Sequence, residues 1–71
     1  MEFTRHARNK CRRYNITAAE LQALLALPAR IELRADGTPS AVGLIRGVRY
    51  RVIYVVENVQ TIVITVWDEK E

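Results

Sequence analysis

Pro28 constrains this chain more than any other residue, because the hydrophobic period changes across it. Before it runs "NITAAELQALLALP", which reads as a helix over 17–27. Thr17 is placed to N-cap that helix, and Glu20 stands three residues later, the spacing of a capping box. Ile16 and Leu21 occupy the positions of a hydrophobic staple, and Leu21, Leu24 and Leu25 form the face to be buried. The pyrrolidine ring of Pro28 forbids continuation. Beyond it the period is two, the signature of strands.

The strand pattern falls into four segments, 30–35, 40–46, 48–57 and 60–67. "DGTP" is a turn, since Gly37 accepts positive φ and Pro39 cannot donate to a central ladder. Gly47 breaks the second segment from the third, and "NVQ" turns into the fourth. Alternation puts Val48, Tyr50, Val52, Tyr54 and Val56 on one face, with Ile62, Ile64 and Val66 beside them under the helices. Arg49, Arg51, Ile53 and Val55 then project from the other face, with Val63, Thr65 and Trp67.

A first helix is expected over 4–14, N-capped by Thr4. Phe3, Ala7, Cys11 and Tyr14 fall near one line of its wheel and suit packing on a sheet. His6, Lys10 and Arg13 form the adjacent stripe, with Arg5, Arg8 and Arg12 further round. The expected fold is α+β, in the order α-α-β-β-β-β. Two N-terminal helices pack on one face of a four-stranded antiparallel sheet.

At 71 residues the chain is a single domain. A chain this short buries only about 60% of its unfolded surface, so its core is marginal. Cys11 is the lone cysteine and no Cys/His cluster has zinc spacing, so neither a disulfide nor a metal reinforces the fold. A partner chain, either a second copy or another protein, is expected instead. The free thiol fits a reducing, cytoplasmic setting. No apolar run approaches the roughly 18 residues of a membrane span, so a soluble protein without membrane contact is expected.

The net charge of +3 is unevenly spread. Through Arg51 there are ten Lys/Arg against four Asp/Glu; from Val52 onward there is one Lys against four Asp/Glu. Nine of the eleven cations are arginine, whose planar fork pairs with phosphate and stacks on bases. Arg5, Arg8, Lys10, Arg12, Arg13 and Arg46 are the candidate nucleic-acid contacts. No Gly-rich phosphate loop, Walker-type lysine or paired histidine is present, which disfavours nucleotide- or metal-dependent chemistry, and no cofactor is expected.

Arg49 and Arg51, two apart on a strand, share a face. They either grip and stabilise a phosphate during RNA cleavage or make a wet cationic surface without chemistry. His6 is either a half-buried histidine bonded to a carbonyl or an acid–base group working beside those arginines. Cys11 reads as packing, and Trp67 as edge-strand packing or an aromatic surface for a base or peptide.

The string "FTRHA" from Phe3 to Ala7, the basic helix, "IT" and "EL" at Ile16, Thr17, Glu20 and Leu21, Pro28, and "VITV" from Val63 to Val66 carry a resemblance. Together they resemble a small bacterial and cyanobacterial family of unknown function, over nearly the whole chain from Phe3 to Trp67. That family in turn looks like a minimal relative of RelE/ParE-type toxins, BrnT-like in shape. The resemblance implies a metal-independent ribonuclease toxin with a cognate antitoxin, with His6, Arg49 and Arg51 as catalytic candidates and RNA as substrate. The C-terminal element of such toxins is reduced here to "DEKE". ParE-like relatives share the fold without ribonuclease activity, so a non-catalytic module binding nucleic acid or protein is the alternative. A homodimeric structural protein, paired through the "IVITVW" edge, is a third reading.

Overall fold

A computed structural model describes residues 1–70. Its elements are β1 (Glu2–Phe3), α1 (Arg5–Tyr14), α2 (Ala18–Ala26), β2 (Arg30–Leu33), β3 (Pro39–Ile45), β4 (Val48–Glu57) and β5 (Gln60–Asp68). The expected α+β class holds, with both helices where the sequence places them. The sheet differs from expectation: it has five strands, in the order β1-β5-β4-β3-β2, and it is mixed. Three antiparallel hairpins make most of it, and β1 adds in parallel to β5, with Glu2 opposite Ile62 and Phe3 opposite Val63. A two-residue strand has no period to read. It forms because Thr4 anchors it from the next position, donating its N–H to the Val63 carbonyl at 3.0 Å and its hydroxyl to Ile64 at 2.8 Å.

The same Thr4 side chain accepts from the Ala7 N–H, so one residue both caps α1 and ties it to the last strand. At the other end of α1, Asn15 adopts the left-handed conformation at φ 62°. The Ile16 N–H then returns to the Cys11 carbonyl at 2.8 Å and the Asn15 N–H to Arg12, the bonds of a Schellman turn. For α2 the capping box forms in both directions, Thr17 accepting from the Glu20 N–H and Glu20 accepting from the Thr17 N–H. Both β3–β4 and β4–β5 are joined by two-residue turns with positive φ, Arg46–Gly47 and Asn58–Val59, the backbone that matches strand twist.

The core lies between the helices and one sheet face. Ala7 and Cys11 from α1, Leu21 and Leu24 from α2, and Ile16 between them meet Ala41, Tyr50, Val52, Val63 and Val66. Tyr14 meets Tyr50 edge-on at 5.4 Å between ring centres. Gly43 lets α2 approach β3 closely, since a Cβ there would stand 2.7 Å from Leu24 Cγ.

The face pattern of β5 departs from simple alternation. Val63, expected on the far face, is fully buried in the core, and Ile62 and Ile64 lie outside it. Between Ile53 and Tyr54 the register slips, so Thr65 faces Ile53 and Val63 faces Tyr54, leaving Ile64 as an extra residue. That irregularity reverses the inward set while keeping Val66 in the core. Val56, expected under the helices, is 60% exposed.

Candidate nucleic-acid interface

On α1 the burial of Ala7 and Cys11 turns every cation outward or sideways. Arg5, His6, Arg8, Arg12 and Arg13 are exposed and Lys10 is half-buried, its ammonium 5.9 Å from the centre of the Tyr14 ring. At 100° per residue the basic groups divide into two flanks of the buried stripe. Arg5, Arg8 and Arg12 lie on one, and His6, Lys10 and Arg13 on the other.

Among the described residues, the arginines of this helix, Arg5, Arg8, Arg12 and Arg13, have no acidic partner. The helix itself contains no acidic residue. Arg12 and Arg13 in the last turn suit the negative end of the helix dipole, but the charges further up oppose helix stability. Arg5 and Arg8 stand at the positive end of the helix dipole, and Arg5–Arg8 and Arg8–Arg12 are like-charged neighbours.

Two of the other candidate cations, Arg46 and Arg51, are occupied by partners within the chain. Arg46, expected to contact nucleic acid, instead pairs with Glu20 and donates to the carbonyls of Tyr14 and Asn15, the latter at 3.0 Å. It satisfies the open end of α1 and joins that end to the capping box of α2. The hydrogen bond from Arg46 holds the Glu20 carboxyl below its ordinary range.

Arg51, expected to hold a scissile phosphate, is locked on the far sheet face. Its guanidinium donates to Glu32 at 2.8 Å, to Glu69 at 2.8 and 3.1 Å, and to the Ser40 hydroxyl at 2.9 Å. Ser40 is fully buried, and its hydroxyl donates onward to the Glu32 carbonyl. The network joins β2, β3, β4 and the turn after β5, and the Arg51 side chain is only 19% exposed. With Val42 and Ile53 also buried there, the face is a small clamped layer rather than a wet cationic surface. Arg49 remains exposed on it, as do Leu44 opposite it and Arg30 at the edge.

The sheet also separates the proposed catalytic partners. His6 rides on α1, which covers the core face, whereas Arg49 and Arg51 project from the other. Their positions along the sheet differ too. The start of α1 is fastened at Val63 and Ile64, and its end lies over Tyr50, about eight residues or 12 Å further on, next to Arg49. His6, Arg49 and Arg51 therefore do not converge within one chain.

The sequence could have disclosed the role of Arg51. Counting back from the Arg46–Gly47 turn sets Val42 opposite Arg51, and the next pairing sets Arg30 opposite Val42, which brings Glu32 alongside. The homodimer edge needs correction as well. Thr4 consumes the outward carbonyls of Val63 and Ile64, and β1 covers Ile62 and Val63, so the "IVITVW" edge is partly closed.

Among the described residues, no group of three or more His, Cys, Asp or Glu is placed to hold a metal, and no helix is long and apolar enough to cross a membrane. No protein-family model matches the chain, and no curated protein and no solved structure matches it either.

Proposed function

We propose that this chain is a nucleic-acid-binding module that grips single-stranded RNA through α1. The observation that carries this is the unneutralised helix: five Lys/Arg in ten residues with no acid among them. Glu20 and Glu32, which might have balanced those charges, are committed to Arg46 and to Arg30 and Arg51. Binding would release counterions from the RNA, and about 0.7 of a power of salt is lost per phosphate neutralised on a single strand. Five contacts give a slope of log K against log salt near −3.5.

Fluorescence anisotropy with a labelled RNA, repeated across a salt series, measures that slope directly. A flat response would sink the reading. Arg8→Gln with Arg12→Gln should flatten the slope by about 1.4, two contacts' worth.

The second reading is the metal-independent ribonuclease toxin with a cognate antitoxin. It is favoured by the exposed imidazole of His6, one turn from Lys10 on the same cationic flank. In that version His6 moves the 2′-hydroxyl proton and Lys10 and Arg13 hold the phosphate, since Arg51 is engaged elsewhere. Incubating RNA with the protein in chelator separates the two. Products ending in a cyclic phosphate, lost in His6→Ala, would establish cleavage; intact RNA with retained binding leaves the module.

A further inference from the structure

Resting on the nucleic-acid reading above, we propose that Phe3 and the Arg5–Arg8–Arg12 flank form a docking site for one unpaired nucleobase and its adjoining phosphates. The site would select single strands over duplex. Two adjoining hollows lie along that flank, of about 430 and 300 Å³. They share Phe3, Arg8 and Arg12. The first adds Arg5 and Asn9, and the second is floored by Cys11, Ile16 and Ala18. One hollow is polar and cationic while its neighbour is apolar with arginines at the rim, the pairing a nucleotide presents as phosphate and base.

Phe3 is the hinge of the argument. It is half-buried, so part of its ring meets the core and the rest lines both hollows. Its backbone is held in β1 opposite Val63, which fixes the point from which the ring projects. Ordered aromatic rings of this kind stack on bases of any sequence, and arginine planes add to the stack. Arg8 and Arg12, one turn apart, have Cβ atoms about 6 Å from each other, so both can reach phosphates flanking a single base. The side chains lining both hollows include no carboxylate. Duplex RNA offers the phosphates but keeps its bases stacked and paired, and so satisfies only the cationic hollow.

The test uses the whole chain and labelled probes built on one strand about twelve nucleotides long, so that the duplex carries twice the phosphates of the single strand. They are a mixed-sequence single-stranded RNA, the same strand annealed to its complement, and an abasic backbone. A poly-glutamate peptide of equal charge is the protein-like comparator. The single strand should bind about tenfold tighter than the abasic backbone or the duplex.

Phe3→Leu, which keeps apolar packing but removes the ring, should erase most of that preference. Ala18→Leu tests the site without touching the core, because Ala18 is exposed at the start of α2 and a larger side chain there fills the apolar hollow. It too should abolish the preference for the single strand over the abasic backbone. Equal, salt-steep binding of all three nucleic-acid probes would overturn the base site and leave polyanion binding standing. Poly-glutamate binding as well as the single strand would overturn it in favour of an acidic peptide. Failure of every probe would remove the nucleic-acid reading itself.

Discussion

Gly43→Ala should destabilise this protein, against the usual sense of that substitution. In a strand interior, replacing glycine by alanine normally gains about 0.5–1 kcal/mol, because glycine loses more backbone freedom on folding. Here the added Cβ would lie 2.7 Å from Leu24 Cγ and 3.3 Å from both Leu24 δ carbons. Cγ is the branch point of a side chain only 4% exposed, so it cannot swing aside as a flexible tip would. Either α2 lifts from β3 or Leu24 leaves its rotamer, at an overpacking cost of about 1–3 kcal/mol. The net loss is about 1–2 kcal/mol, or a fall in Tm of roughly 5–15 °C for a domain of this size.

Leu24→Ala alone should cost about 2–5 kcal/mol by opening a cavity. Combined, the two changes should cost at least about 1 kcal/mol less than their sum, because the new methyl occupies space that Leu24 vacates. Urea denaturation of the four proteins, analysed at constant m, measures this coupling. A stabilised Gly43→Ala, or strict additivity of the pair, would refute the close approach of α2 to β3.

Arg51→Ala should lower Tm by about 5 °C yet leave RNA affinity unchanged in anisotropy titrations, the reverse of what a phosphate-gripping residue would do. Val59→Gly should raise stability by about 1 kcal/mol in denaturant melts, since Val59 is a β-branched residue at φ 56° in a fully exposed turn. Acid titration followed by circular dichroism should show stability falling below the ordinary carboxylate range. Hydrogen bonds from Arg46, Arg51 and the Thr38 backbone hold Glu20, Glu32 and Asp36 below it, so their contribution is complete above that range and is lost as pH falls through the depressed folded values. Arg46→Ala should remove the part of that acid sensitivity due to Glu20.

What the sequence disclosed was local. The Thr17–Glu20 capping box, the stop at Pro28 and the stripe of Ala7 and Cys11 each depend on residues within a turn or two, and each is found as expected. The inward face of β5 was not legible, because the slip at Ile53/Tyr54 exists only once two strands are paired. The segment β1 escaped for the same reason, its evidence lying sixty residues away in Val63 and Ile64. For the candidate interface, the exposure of Arg5, Arg8 and Arg12 followed from the helical wheel. The engagement of Arg46 and Arg51 did not, since their carboxylate partners come from other elements. Phe3 read as part of the α1 stripe; only its place in β1 reveals a ring standing beside the arginines.

The bond from the Thr4 hydroxyl to the Ile64 carbonyl joins residues sixty apart, and it sets the order in which this molecule can assemble. The hairpins β2–β3, β3–β4 and β4–β5 close loops of a few residues, so a chain emerging from synthesis can build them in sequence. The β1–β5 pairing and the docking of α1 must wait until Ile64 has been made. Contacts of such long sequence separation close slowly, because loop entropy is spent before any contact repays it. The arginine-bearing helix is therefore the last piece to settle, and during that interval its apolar stripe of Ala7, Cys11 and Tyr14 is uncovered. Refolding should accordingly be biphasic by probe: sheet hydrogen bonds become protected from exchange first, and Cys11 loses its thiol reactivity later, when the final closure buries it.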